Sequence, residues 1–158
     1  MFNEQDQYIP LLEPADYTTQ DPDSDSVNMG KLNGIEILIQ HGALTGDAAT
    51  FRFYAGATAG TKTTELFPKY RVTGADIGNP SADVFGARSV TPAGGILITP
   101  ATSFDHRVIV AELPSSLMPD GLNWLTIACA HGSASARNLA IIADGTTRYE
   151  GDTVTTAL

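Results

Sequence analysis

The run GIEILIQHG at residues 34–42 limits the fold more than any other part of the chain. Ile35, Ile37 and Ile39 alternate with Glu36, Leu38 and Gln40, the period of a strand. Periodicity alone leaves a helix open, because Ile35, Leu38 and Ile39 would also share a helix face. Length and residue type decide. Seven residues between Gly34 and Gly42 are too few for a typical helix, and isoleucine is stiff at its branched β-carbon. A second run at residues 49–57 puts Phe51 and Phe53 on one face and Arg52 and Tyr54 on the other, and a third spans 67–72. The reading is an opening meander, with a hairpin loop at 42–47 and a second, small and polar loop at 56–64.

Four further strands are predicted at residues 96–99, 107–113, 123–130 and 138–144. Pro119-Asp120-Gly121 presets a turn, and Asp144-Gly145 supplies the positive φ of a tight hairpin, through which residues 146–149 would pair back. Residues 73–95 lack periodicity, and a structureless loop of that length is uncommon in a compact domain, so a short helix or strand is expected at 82–90. Seven or eight short strands between Gly, Pro and Asp signals predict an all-β protein, an antiparallel β-sandwich or jelly-roll-like domain over residues 27–158. Residues 108–111 and 139–143 are apolar on both faces. They call for a second sheet on one side and a loop, arm or neighbouring subunit on the other.

Residues 1–26 read as an extended N-terminal arm, because Pro10, Pro14 and Pro22 break helices and remove donors that a central strand needs. Its apolar knot, Tyr8, Ile9, Pro10, Leu11 and Leu12, suits a peptide laid along a neighbour's groove or sheet edge, or folded back on its own domain. Asp21, Asp23 and Asp25 alternate as in a calcium loop, yet Ser26 and Leu32 stand where an EF-hand needs glycine and glutamate. That segment reads as a solvated linker.

The 158 residues suffice for one domain, which at this size buries about 70% of its unfolded surface. Nine Lys plus Arg against eighteen Asp plus Glu give a net charge of −9, which repels a phosphate backbone and argues against nucleic acid as a partner. Such charge favours docking on basic surfaces. Lys62, Lys69 and Arg71 form a local basic trio against this background. Cys129, the single cysteine, lies in a mostly apolar run and reads as a buried, inert thiol. No signal peptide is read at the start and no apolar run reaches the ~20 residues of a membrane span, so assembly in a cytoplasm is expected.

No catalytic or cofactor signature emerges, and neither enzymatic activity nor a cofactor or metal is expected. His41, His106 and His131 are scattered, and Ser103 with Asp105-His106 has no nucleophile elbow around it. Gly56-Ala57-Thr58-Ala59-Gly60 lacks the lysine and helix start of a phosphate loop. Paired carboxylates converging from distant strands leave no local motif and stay open. Trp124, in an apolar run, reads as core, while Tyr54 and Tyr70 divide evenly between core and surface.

Val27-Asn28-Met29, the Ile-rich strand ending at Gly42-Ala43, residues 50–56 (TFRFYAG) and residues 64–71 (TELFPKYR) together resemble small virion proteins of tailed bacteriophages, of the head decoration or cement type. The resemblance covers residues 27–72. It implies a non-enzymatic structural protein on the capsid surface of the virion, bound to the major capsid protein and to itself as a dimer or trimer. Contacts are expected from Tyr8, Ile9, Pro10, Leu11 and Leu12, with Lys62, Lys69 and Arg71 as a second patch. The alternatives are a tail, neck or receptor-binding component, a carbohydrate-binding β-sandwich with an exposed aromatic platform, or a hydrolase with convergent carboxylates.

Overall fold

The computed structural model describes residues 6–18, 20–42, 48–73, 84–99, 107–131, 138–149 and 154–157. Their strands are β1 (Asp6–Asp16), β2 (Ser26–Asn28), β3 (Leu32–His41), β4 (Ala49–Gly56), β5 (Thr64–Leu66), β6 (Lys69–Val72), β7 (Ser89–Val90), β8 (Ile96–Ile98), β9 (Val108–Pro114), β10 (Trp124–His131), β11 (Asn138–Thr147) and β12 (Thr156–Ala157). They form two antiparallel sheets packed as a sandwich. The first runs β1-β11-β3-β9-β6-β7 and the second β12-β2-β10-β4-β5, with β8 also on β4.

Eight strands follow a jelly-roll order. In it β1 pairs with β11, β2 with β10, β3 with β9 and β4 with β8, and the chain changes sheet at each step from β1 to β4 and again from β8 to β11. Consecutive strands β3 and β4 therefore sit in opposite sheets, which corrects the meander and the hairpin expected between them. Ile35, Ile37 and Ile39 point inward from one sheet while Phe51, Phe53 and Ala55 point inward from the other. Placing the two apolar faces opposite each other buries both, where a side-by-side hairpin would have left the cover to another element. The loop itself, residues 43–47, lies outside the described residues. Ile109, Ala111, Leu113, Ile141, Leu125, Ile127 and the expected buried thiol of Cys129 complete this core. Each fully buried large apolar side chain contributes on the order of 1.5–3 kcal/mol.

Two further expectations change. The strand expected over 67–72 begins only at Lys69, after Phe67-Pro68, and a separate strand precedes it: β5 lies beside β4 in the second sheet, and β6 lies beside β9 in the first. Proline has no backbone N–H to continue a ladder, so the crossing falls there. Asp144-Gly145 makes no hairpin, because β11 runs straight through it, pairing Asp144 with Glu36 and Gly145 with Ile35. Glycine there serves packing, since a Cβ at position 145 would lie 3.3 Å from Leu32 Cδ2 and 3.5 Å from Ile9 Cδ1. The Pro119 turn does form, with Leu122 N–H donating to Pro119 O at 3.0 Å and Gly121 at φ 77°. Of the element expected at 82–90, the described part holds β7 and a bridge from Phe85 to Thr73.

The described part of the segment read as an arm is extended over Asp6–Asp16, and that strand belongs to the sandwich. β1 is the edge strand of the first sheet, and its Ile9 and Leu11 enter the chain's own core. Of the two placements open for the apolar knot, it takes the one on its own domain. Pro10 and Pro14 are tolerated because the strand lies at the edge and shifts register after Pro10 and again after Leu12.

Candidate docking face and groove

Residues in register on neighbouring strands share a face, so the outer face of the first sheet can be read row by row. One row crosses from Tyr8 to Asp144, Glu36, Glu112, Lys69 and Val90. The next crosses from Pro10 to Ile142, Leu38, Val110 and Arg71. The second row is apolar over four strands and ends on a cation. Tyr8 is 61% exposed, Ile142 47% and Leu38 36%, so this side of the double-faced runs stays open to solvent.

The charged row behaves differently along its length. Glu112 forms an ion pair with Arg88 and has Lys69 in register beside it. Among the described residues, Glu36 and Asp144 have no salt-bridge partner. Burial, and then the nearby negative Asp6, pushes the Asp144 carboxyl above its usual range. Its Oδ1 is buried without a hydrogen-bond partner among the described residues. Above this row opens a groove of about 580 Å³, whose apolar lining includes Phe67, Pro68, Val90, Pro114 and Leu117.

The residues expected to make contacts separate. Tyr8 and Pro10 are exposed on β1 and Leu12 is half-buried, whereas Ile9 and Leu11 are buried in the chain's own core. Strand alternation explains the split, since a five-residue apolar knot in a strand must divide between two faces. The basic trio divides as well. Lys69 and Arg71 share the outer face of β6, but Lys62 is tied to Asp23 at 2.7 Å beside the second sheet.

Trp124 is also repositioned, since Leu125, Ile127 and Cys129 take the core side of β10 and leave Trp124 half-buried on the outer side with Thr126. The loop after β4 folds over that side. Gly60 N–H donates to Ser26 Oγ at 2.9 Å, and Ser26 Oγ lies 2.8 Å from Thr126 Oγ1, so both hydroxyls are buried and satisfied. Tyr54 is half-buried there, and its hydrogen bond raises the pKa of Arg52, whose Nε donates to Gly94 O at 2.8 Å. Tyr70 is half-buried on the inner side of β6.

No family model, curated protein or solved structure matches this chain.

No group of three or more His, Cys, Asp or Glu side chains among the described residues is placed to hold a metal ion. His41 is buried, with Nδ1 3.0 Å from Gly42 O, while Ser103, Asp105, His106 and the His131 side chain fall outside the described residues. No described helix is long and apolar enough to cross a membrane. Glu36, Glu112 and Leu38 stand at ordinary outward positions of predicted strands, while in sequence Asp144 reads as a turn residue and Ile142 as part of a run apolar on both faces. Only the pairing β11-β3-β9 brings the five together.

Proposed function

We propose that this chain is a non-enzymatic structural protein of a tailed-bacteriophage virion, which binds the outer capsid surface as a decoration or cement protein and stabilises the head. The observation that carries this reading is the uncovered row Pro10, Ile142, Leu38 and Val110 on the outer face of the first sheet. A contiguous apolar row on a sheet face, bordered by charge, marks a surface made to be covered. The resemblance of residues 27–72 to decoration proteins supports the major capsid protein as the partner, with further copies of the chain alongside.

The action is mechanical. A protein that binds only the assembled shell stabilises it by mass action, and many modest contacts on a closed lattice must fail together before a capsomer can leave. Acidic charge on this side favours a basic shell surface and excludes packaged nucleic acid as a competitor.

Co-sedimentation of the purified protein with expanded heads prepared without it tests the reading. Saturable binding and a higher temperature of head disruption are expected. Binding to tails alone would move the protein to another part of the virion, and no binding to either would overturn the proposal.

A further inference from the structure

The groove beside the apolar row has a chemistry of its own. Its floor crosses the sheet through Asp144, Glu36 and Glu112, and Phe67 and Val90 line it toward β6 and β7 while Leu117 lines it near β3. Its charges are unevenly matched. Arg88 and Lys69 stand by Glu112, while among the described residues no cation is within salt-bridge reach of Glu36 or Asp144. An anionic ligand would meet two carboxylates at that end. A metal ion lacks a ligand set among the described residues. Organic cations remain, and the spacing selects among them. Asp144 and Glu36 are directly opposite on adjacent strands, about 4.8 Å apart in backbone, a separation that a planar guanidinium with its forked donors spans better than a compact ammonium.

Length gives the rest of the ligand. Asp144 and Val90 both line the groove and are separated by four strand spacings, or roughly 19 Å at ~4.8 Å each. An extended chain rising ~3.3 Å per residue covers that distance in about six residues. We infer that this groove receives an extended segment of the shell protein, about six residues long, that carries arginine at the Asp144–Glu36 end and an apolar residue at the Phe67–Val90 end. This site rests on the docking reading above, which it makes specific, but it can be tested without capsids.

The probe is a capped hexapeptide, Arg-Thr-Ser-Thr-Ser-Leu, together with its reversed sequence and the version with citrulline in place of arginine, titrated against the ¹⁵N-labelled full chain. Saturable shifts are expected at Glu36, Asp144, Phe67 and Val90 for one of the two arginine peptides. Binding should weaken about tenfold or more with citrulline, or in a Glu36→Gln/Asp144→Asn variant, the weight of one or two charge-assisted hydrogen bonds. Both substitutions remove repulsion and leave the core intact, so the variant keeps its fold. Absence of saturable shifts, or equal binding of the citrulline peptide, overturns the site. Undiminished binding of the double variant to heads also overturns it and leaves the docking reading standing. Peptide binding with no head binding supports the groove and contradicts the capsid as its partner.

Discussion

Glu36 and Glu112 stand directly opposite each other on β3 and β9, and Asp144 faces Glu36 from the other side. Like charges so placed weaken a sheet by roughly 0.2–1 kcal/mol relative to a neutral pair. Arg88 and Lys69 relieve Glu112, which leaves Glu36 and Asp144 facing each other with no compensating cation among the described residues. Glu36→Gln should therefore stabilise the fold by about 0.5 kcal/mol in urea melts. Its gain should shrink at 1 M salt, where the screening length falls to about 3 Å. Arg88→Ala should do the opposite and cost no more than about 1 kcal/mol, because its ion pair is partly exposed.

Asp144 sets a pH dependence whose sign follows from its surroundings. Its carboxyl titrates above the usual range because of burial and then Asp6, with Glu36 facing it from β3 and Tyr8 from β1. A carboxyl raised in the folded state favours folding when protonated, and that contribution is lost as pH rises through its folded value. Asp144→Asn should raise Tm at pH 7, and the difference should vanish below about pH 3.9, the ordinary aspartate value. Paired thermal melts from acid to neutral pH would show it, and a difference that grows toward acid would contradict the assignment.

Because β1 is the first strand of the roll, its inward residues should behave as core. Ile9→Ala and Leu11→Ala should each cost about 2–5 kcal/mol, a large share of the 5–15 kcal/mol that typically holds a domain together. Tyr8→Ala, on the outer face, should cost under about 1 kcal/mol. A chain begun at Val27 should lose cooperative unfolding, since it lacks β1 and leaves the edge of β11 bare. Equal stability of the shortened chain would return the segment to the status of a separate arm.

Gly56 should be irreplaceable for a steric reason. A Cβ there would lie 2.1 Å from both Thr61 O and Thr61 Oγ1, so the loop over Ser26 and Thr126 must lift. Gly56→Ala should cost about 2 kcal/mol or more. Gly60→Ala meets nothing within 4 Å and should cost only about 1 kcal/mol for its positive φ of 75°. Chemical denaturation of the two variants separates clash from strain.

Strand content was legible because alternation is local. Ile35, Ile37 and Ile39 fall inward and Glu36, Leu38 and Gln40 outward as their period requires, and Phe51 and Phe53 likewise oppose Arg52 and Tyr54. Sheet membership was not legible, because nothing in the residues around Gly42 distinguishes a hairpin from a crossing between sheets. Gly145 misled for a related reason, since glycine that makes room for Leu32 and Ile9 looks in sequence like glycine that makes a turn. Residues 108–111 and 139–143 announced an apolar outer face, but its continuity across strands was not legible until pairing was known. Ile142, Leu38 and Val110 lie far apart in the chain and meet only through the ladders β11-β3 and β3-β9.

The claim that the first sheet's outer face docks on the capsid is tested most directly by comparing head binding of Ile142→Asp with that of Leu97→Asp. Both positions are exposed, at 47% and 58%, but Leu97 lies on β8 in the other sheet. With both variants shown to be folded, Ile142→Asp should lose binding by about tenfold or more, as expected for a charge buried in an apolar contact. Leu97→Asp should bind as the unaltered chain does. Full binding by Ile142→Asp, or an equal loss in both, would contradict the account.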